Sequence, residues 1–371
     1  MEHQLKNPFV TEGFVSKDYF CDRETELADM LQALDSGRNL TLYSPRRMGK
    51  TGLILRAFAE CQDITCYYMD IMNTTCLKDF VNQLASEIIG SMDRPLDKLL
   101  NTITNISKRL RPVINVDTLT GTPSVTLNLE RGQEEHTLKD IFEYLKQSGK
   151  RCYIAIDEFQ QIAFYPETNV EALLRSYIQF IPNCSFIFAG SKKHLMIEMF
   201  SSPKRPFYQS TQPLSLKPIE RDKYYQFATQ WFHQAGSELS EECFFHIYDT
   251  VYGHTWYIQY WLSKLFDMAG ATVTMQDVNQ CLDKILIESE DEYLTYIQLL
   301  TSSQIQVITA IAKEGKALQP FATHFLTKYP LPALSTVRSS LNRLVEDDIV
   351  LYDMDEYSIY NRFFMLWLKR R

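Results

Sequence analysis

At 371 residues, 45% apolar and 23% charged, the chain has globular composition and a length of about 2.5 ordinary domains, which excludes disorder, collagen and coiled coil. Its 38 basic residues against 46 acidic ones give a net charge of −8, which argues against a coat for long nucleic acid and leaves room only for a local basic patch. No window reaches the roughly 18 apolar residues of a membrane span. The start Met1-Glu2-His3-Gln4-Leu5-Lys6 lacks an apolar leader core, and eight scattered cysteines include no CxxC pair, so a reduced, cytoplasmic chain without a membrane partner is expected.

In chain order, residues 38–43 read as a short buried strand that turns at Ser44-Pro45, and the run from Gly52 to Glu60 has helical spacing. Thr65–Asp70 reads as a second strand and 76–90 as an amphipathic helix with Gly90 as its C-cap. Alternating strands and helices predict a sheet with crossover helices. Segment 95–132 breaks the rhythm with a helix over 97–110 and two β-rich arms around Thr120-Gly121-Thr122-Pro123, an insertion with a hairpin. Alternation resumes with a helix over 136–148, a strand over 152–156, a helix over 169–180 and strands over 185–189 and 213–216. Residues 219–300 read as entirely helical. Helices near 302–314, 319–328 and 335–347 followed by a hairpin over 349–360 predict a winged helix-turn-helix. The domains expected are thus a core over 1–215, a helical domain over 216–300 and a winged helix over 301–371.

Ser44-Pro45-Arg46-Arg47-Met48-Gly49-Lys50-Thr51 follows GxxxxGK[ST] with Ser44 in place of the first glycine, and it lies between a strand and a helix. Such a loop surrounds phosphates with backbone N–H groups, aided by the helix that begins there. Lys50 would reach the β- and γ-phosphates of ATP, Thr51 would ligate Mg2+, and Gly49 gives the backbone close approach. Tyr153-Ile-Ala-Ile-Asp157-Glu158 is a Walker B pattern, with Asp157 for the Mg2+ shell and Glu158 to polarise the attacking water. Ser191, after Phe186-Ile-Phe-Ala-Gly190, is placed as a γ-phosphate sensor, although Gly-Ser also reads as an ordinary strand-ending turn.

These motifs resemble the AAA+/STAND-class ATPases of the archaeal type, also common in Bacteroidota, over essentially the whole chain. Phe20-Cys-Asp-Arg23-Glu-Thr-Glu26-Leu resembles the family's F-x-G-R-x-x-E-L box beside the adenine, with Asp22 in place of glycine. Ile156-Asp157-Glu158-Phe159-Gln160 and Ala189-Gly190-Ser191 match its Walker B and sensor segments. Pro206-Phe-Tyr-Gln-Ser210 stands where P-L-Y-G-R is usual, with Arg205 earlier in the chain, and Gly253-His254-Thr255-Trp256-Tyr257 resembles the lid motif G-x-P-x-Y. Tyr357-Ser-Ile-Tyr-Asn361-Arg362-Phe-Phe-Met-Leu-Trp-Leu368 resembles Y-x-I-x-D-P-F-F-R-x-W-L, with Asn-Arg in place of Asp-Pro. The resemblance implies a P-loop NTPase core of α/β, AAA+-like parallel-sheet type, a helical lid and a C-terminal winged helix. It implies a nucleotide site built from Arg23, the loop Ser44 to Gly52 and Gly253.

The reading that follows is an ATPase with slow Mg2+-dependent hydrolysis that acts as a nucleotide-controlled switch on an unknown protein partner. The alternative is an ATP-gated DNA-binding protein that uses Arg338, Asn342 and Arg343 on helix 335–347, although residues 303–371 carry only nine Lys/Arg against seven Asp/Glu. A P-loop kinase lacks an acceptor-binding motif here, and a scaffold that never turns over does not need Glu158. The histidines have no paired ligand spacing, and the aromatics of 219–266 fall at core-packing intervals.

Overall fold

Cys152–Asp157 is buried at every position, as a strand covered on both faces must be. The structure, a computed structural model, describes residues 5–90, 111–116, 123–129, 132–353 and 355–371. The chain forms two compact units, Glu12–Ile219 and a second made of the N-terminal residues to Thr11 with Glu220–Arg371. Among the described residues no helix is long and apolar enough to cross a membrane.

The strands of the first unit are β1 (Leu40–Tyr43), β2 (Thr65–Asp70), β3 (Arg111–Val116), β4 (Pro123–Asn128), β5 (Cys152–Asp157), β6 (Cys184–Gly190) and β7 (Gln212–Ser215). Five of them form a parallel sheet in the order β2-β5-β6-β1-β7. Period-two alternation divides its side chains between two cores. Tyr153, Ala155, Ile187 and Ala189 face one core, which the helices Glu24–Asp35 and Lys50–Glu60 supply with Leu27, Met30, Leu53 and Ile54. Ile154, Ile156, Phe186 and Phe188 face the other, covered by the helices Leu77–Gly90, Glu134–Ser148, Val170–Ile178 and Lys193–Ser201. Phe159, Phe200 and Phe207 pack with Phe188 there, with ring centroids 4.6 to 5.3 Å from it.

The expected hairpin is present as the antiparallel pair β3–β4, with Val116 opposite Pro123. The helix expected over 97–110 and the turn between the two arms lie outside the described residues. The helix Lys193–Ser201 was not legible as a helix, and its buried Met196, Met199 and Phe200 supply the i, i+3, i+4 spacing that seats it.

The second unit contains the helices Arg221–Gln234, Glu241–Thr250, Thr255–Met268, Met275–Glu288 and Glu290–Gln298. The expectation of unbroken helix over 219–300 is corrected by β8 (Glu238–Leu239) and β9 (Thr272–Val273), which pair in parallel. Each precedes a helix whose N-cap, Ser240 or Thr274, accepts a backbone N–H, so the chain before it is extended and free to pair. Phe9 packs against Phe232 and Phe266 at 5.6 Å and ties the N-terminal segment to this unit.

The winged-helix pattern follows as helices Ser302–Glu314, Thr323–Lys328 and Leu334–Glu346 and the hairpin β10 (Val350–Asp353) with β11 (Glu356–Ile359). The middle helix begins at Thr323 instead of near 319, because Pro320 sits in the turn that precedes it. A last helix, Arg362–Lys369, is capped by the Asn361 side chain, which accepts from the N–H groups of Phe363 and Phe364. Asn361 thereby does what an aspartate would do at that cap.

Candidate functional site

Because the five strands are parallel, their C-terminal ends lie on one edge, and the sequence-predicted residues of the first unit collect there. β6 sits between β1 and β5, so Ser191 separates the phosphate-loop candidate from the carboxylates. Ser44 is buried, and its N–H is 3.4 Å from the Gly190 carbonyl. Ser44 does not have a positive φ, so serine fits there without backbone strain. Arg47 and Gly49 do adopt left-handed backbone, at φ 64° and 96°, and Gly49 begins the helix Lys50–Glu60 with no side-chain cap on its N–H groups. An uncapped helix N-terminus preceded by turned backbone is an anion cradle.

Lys50 is buried and donates to the Ser44 and Pro45 carbonyls at 3.1 and 3.4 Å. Burial pushes its ammonium below the ordinary lysine range, while the carboxylates of Glu158 and Asp157 pull the other way. Thr51 donates its hydroxyl proton to Asp157 Oδ2 at 2.7 Å, and Tyr68 on β2 donates to the same oxygen at 2.9 Å. A hydroxyl and a carboxylate at this spacing are hard oxygen donors of the kind that hold Mg2+. Burial, then the Asp157 charge, raises the Tyr68 phenol, which keeps it a donor. Asp70, the register partner of Asp157, is also raised, first by burial and then by the Asp157 and Glu158 charges.

Glu158 has φ 56°, a left-handed conformation that costs a non-glycine residue about 1–3 kcal/mol. Phe159, fully buried behind it, anchors the turn. The turn aims the Glu158 carboxylate at Ser191, whose hydroxyl donates to Oε2 at 2.6 Å. Gln160 donates to the same oxygen and lies 3.4 Å from Ser191 Oγ, and Arg46 Nε also lies 3.4 Å from Ser191 Oγ. A Cβ on Gly190 would collide with Gln160 Oε1 and Met196, so only glycine leaves this arrangement intact.

Arg23, at φ 72°, pairs with Glu26 at 2.7 Å and reaches the Met48 carbonyl at 3.4 Å, which joins the N-terminal box to the loop. Asp22 has φ 54°, the conformation that favours the glycine it replaces. A Cβ on Gly52 would press on the Phe20 ring at 3.1 Å. Gly253, at φ 69°, belongs to the second unit. Arg205 is engaged by Glu171 at 2.5 Å and by Glu198 at 3.7 Å. Sequence reasoning assigned no role to Tyr68 and Gln160; Gln160 stood inside a recognised motif, and Tyr68 carries no local signal.

The sequence matches the family of ATPase domains predominantly from Archaea over residues 20–261, and a probable winged helix domain over residues 291–370. No curated protein matches it. The Walker-type ATPase PABY2304 of Pyrococcus abyssi is similar in structure, with a TM-score of 0.67 at 16% identity over 98% of this chain and 99% of that one. The ORC2 protein of Aeropyrum pernix, solved as ADPNP–ADP complexes, gives 0.56 at 13% identity over 98% and 95%. The ORC1 protein of the same organism, solved with DNA, gives 0.54 at 13% over 98% and 96%. At such identities the likeness is one of fold, which in all three is that of this chain. The family match covers most of the chain, and with the site just described it leads to one conclusion: the chain belongs to the archaeal-type ATPase domain family and is an AAA+-like P-loop ATPase with a winged helix domain.

Proposed function

We propose that this ATPase is a nucleotide-controlled switch with slow Mg2+-dependent turnover. The observation that carries the reading is the convergence on one sheet edge of Lys50, the Thr51–Asp157 pair and the Glu158–Ser191 pair. The loop from Ser44 to Gly52 would cradle the phosphates, with Lys50 turned from its carbonyl partners toward the β- and γ-phosphates. Thr51 and Asp157 would hold Mg2+, which when bound offsets phosphate charge. Glu158 would orient and deprotonate the attacking water, Ser191 would contact the γ-phosphate, and Arg23 would brace the adenine side of the loop.

The switch reading takes support from the packing of the second unit. Tyr257 of the lid motif meets Phe363 edge-on at 5.1 Å, and the Arg362 guanidinium lies 5.0 Å over the Tyr252 ring. A displacement of the Gly253–Tyr257 segment would therefore carry the winged helix with it and alter what that domain offers a protein partner. The division into core 1–215, lid 216–300 and winged helix 301–371 remains our assignment.

Phosphate release from Mg·ATP by wild type beside Lys50→Ala and Glu158→Gln tests the proposal. We expect turnover to vanish in both variants, with ATP still bound by Glu158→Gln. Absence of Lys50-dependent binding would overturn it.

DNA binding through residues 335–347 is the second reading. Arg338, Asn342 and Arg343 are all exposed, as base readout requires, and the fold is shared with a protein solved on DNA. Against it, Arg343 is engaged by Asp347 at 2.9 Å and Glu346 at 3.5 Å, and Arg338 lies 5.0 Å over the Phe321 ring. Salt-dependent duplex affinity that falls in an Arg338→Ala, Arg343→Ala double variant would favour this reading.

A further inference from the structure

In the winged helix, the Ala317 N–H donates to the Tyr357 carbonyl at 2.8 Å, and the Tyr357 N–H donates back at 2.9 Å. This bridge lays the turn from Leu318 to Ala322 beside the hairpin β10–β11. Tyr352 and Tyr357 are opposite each other in that hairpin, so both rings lie on one face, with centroids 4.6 Å apart. Phe321 meets Tyr357 edge-on at 6.1 Å. Between turn and hairpin runs a groove of about 360 Å³ lined by these three rings with Leu318, Pro320 and Asp355. Leu318 is 62% exposed and Tyr352 48%, so its apolar wall is open to water. The Tyr352 hydroxyl donates to Asp355 Oδ1 at 2.8 Å and holds that carboxylate at the groove.

Charge decides what such a groove accepts. Residues 344–361 hold six carboxylates (Glu346, Asp347, Asp348, Asp353, Asp355 and Glu356) and no lysine or arginine. Arg343 engages Glu346 and Asp347, and Lys316 engages Glu356. Asp355 is exposed, and among the described residues no cation pairs with it. Arg338 lies 5.0 Å over the Phe321 ring, outside the groove lining. The balance beside the groove is negative, which repels a phosphate backbone and attracts a cation. Aromatic rings, a proline and a carboxylate together suit a polyproline II segment that carries a basic residue. Proline rings pack on the aromatic faces, the preformed extended chain loses little entropy, and the carboxylate takes the cation.

We propose that this groove docks an extended, proline-containing basic segment of a protein partner. Its arginine or lysine pairs with Asp355, and its prolines lie against Tyr352, Tyr357 and Phe321. The inference gives a chemistry to the partner in the switch reading and rests on that reading only for a link to nucleotide.

Fluorescence anisotropy on the full chain, without nucleotide, tests it. The probes are a labelled peptide in which proline pairs are separated by single arginines, the same peptide with glutamate for arginine, and a labelled mixed-sequence DNA duplex. We expect the arginine peptide to bind about tenfold tighter than the glutamate peptide, the scale of one hydrogen bond between charged groups. Tyr352→Ala should weaken the arginine peptide about tenfold through the lost ring. Asp355→Lys should reverse the preference, and Asp355→Asn, which keeps the shape, should abolish it. Glu242→Lys makes the same change in net charge at an exposed position on the helix Glu241–Thr250 and should leave the preference as in wild type. No binding of the arginine peptide, or equal binding of the two peptides, overturns the inference. So does an equal shift in Asp355→Lys and Glu242→Lys, which would report only the net charge of −8. Duplex that binds tighter than either peptide, and is lost in the Arg338→Ala, Arg343→Ala double variant, would give this face to DNA instead. A chain that neither binds nor hydrolyses ATP yet prefers the arginine peptide would remove the switch reading and leave this inference standing.

Discussion

Thr51 and Asp157 are 106 positions apart in the chain and are joined by a 2.7 Å hydrogen bond between the hydroxyl and the carboxylate. The bond links the first turn of the helix after the phosphate loop to the end of a strand two places across the sheet. Thr51→Val keeps the shape and removes the hydroxyl. Turnover should fall about 100-fold, the scale of one lost electrostatic contact in a phosphoryl-transfer site. Tm should fall by only about 2–4 °C, since Tyr68 still donates to Asp157. Turnover within twofold of wild type would remove Thr51 from the site.

Lys50 has the opposite balance of stability and function. Burial holds its pKa below the ordinary 10.5, so the fold is strained wherever the amine is charged in both states, that is, below the lowered folded value. As pH rises from that value toward 10.5 the folded chain sheds its proton first and stability increases. Lys50→Met should therefore raise the Tm of the nucleotide-free protein by about 2–4 °C, for roughly 1 kcal/mol of relief. The gain should shrink as pH approaches 10.5. Differential scanning fluorimetry at stepped pH checks both the sign and the trend.

Gly190→Ala drives a methyl group into Gln160 and Met196. Overpacking of this kind costs about 1–3 kcal/mol. Turnover should drop further than stability explains, because Gln160 must move away from Glu158 and Ser191 to admit the methyl group. A variant of lowered Tm with unchanged kcat would show that Gln160 does not position Glu158.

Arg362 is buried at the first position of its helix, and among the described residues no carboxylate pairs with it; Nη1 donates to the Ile359 carbonyl and Nε is buried without a hydrogen-bond partner. Desolvation lowers its pKa, and the positive end of the helix dipole adds to the cost. Proline, usual here in the sequences this segment resembles, suits the first helical position and carries no charge. Arg362→Pro should raise Tm by about 2–4 °C. A fall would show that the Tyr252 stack and the Ile359 contact outweigh the buried charge.

The local half of the candidate site was legible in the chain. Lys50, Thr51, Asp157 and Glu158 announce themselves through a loop between strand and helix and an apolar strand ending in carboxylates, patterns a few residues long. Strand order is a different kind of information. That β6 lies between β1 and β5 follows from long-range register, Ile154 beside Phe186 and Leu42 beside Ala189, which no local pattern encodes. The partners of Ser191 and the contact of Tyr68 with Asp157 depend on that order and were invisible for the same reason. Arg205, noted in the sequence only for lying before the P-L-Y-G-R-like segment, is held by Glu171, 34 positions earlier in the chain. In the lid region, the two-residue strands before Ser240 and Thr274 were hidden because their helical neighbours dominate the periodicity.

Phe159 has a bearing on how this chain tolerates change over generations. Its ring is wedged among Phe188, Phe200 and Phe207, and its backbone follows the left-handed turn that aims Glu158. A smaller residue there would let the turn relax toward ordinary backbone while the rest of the aromatic cluster still filled the core. On the proposed role of Glu158, lineages that drift at Phe159 would lose turnover through the turn and stability through the core, with the phosphate-loop residues unchanged. On the same proposal, the position is one at which an ATPase can become a pseudoenzyme by a step that never touches the acid, base or phosphate ligands proposed above.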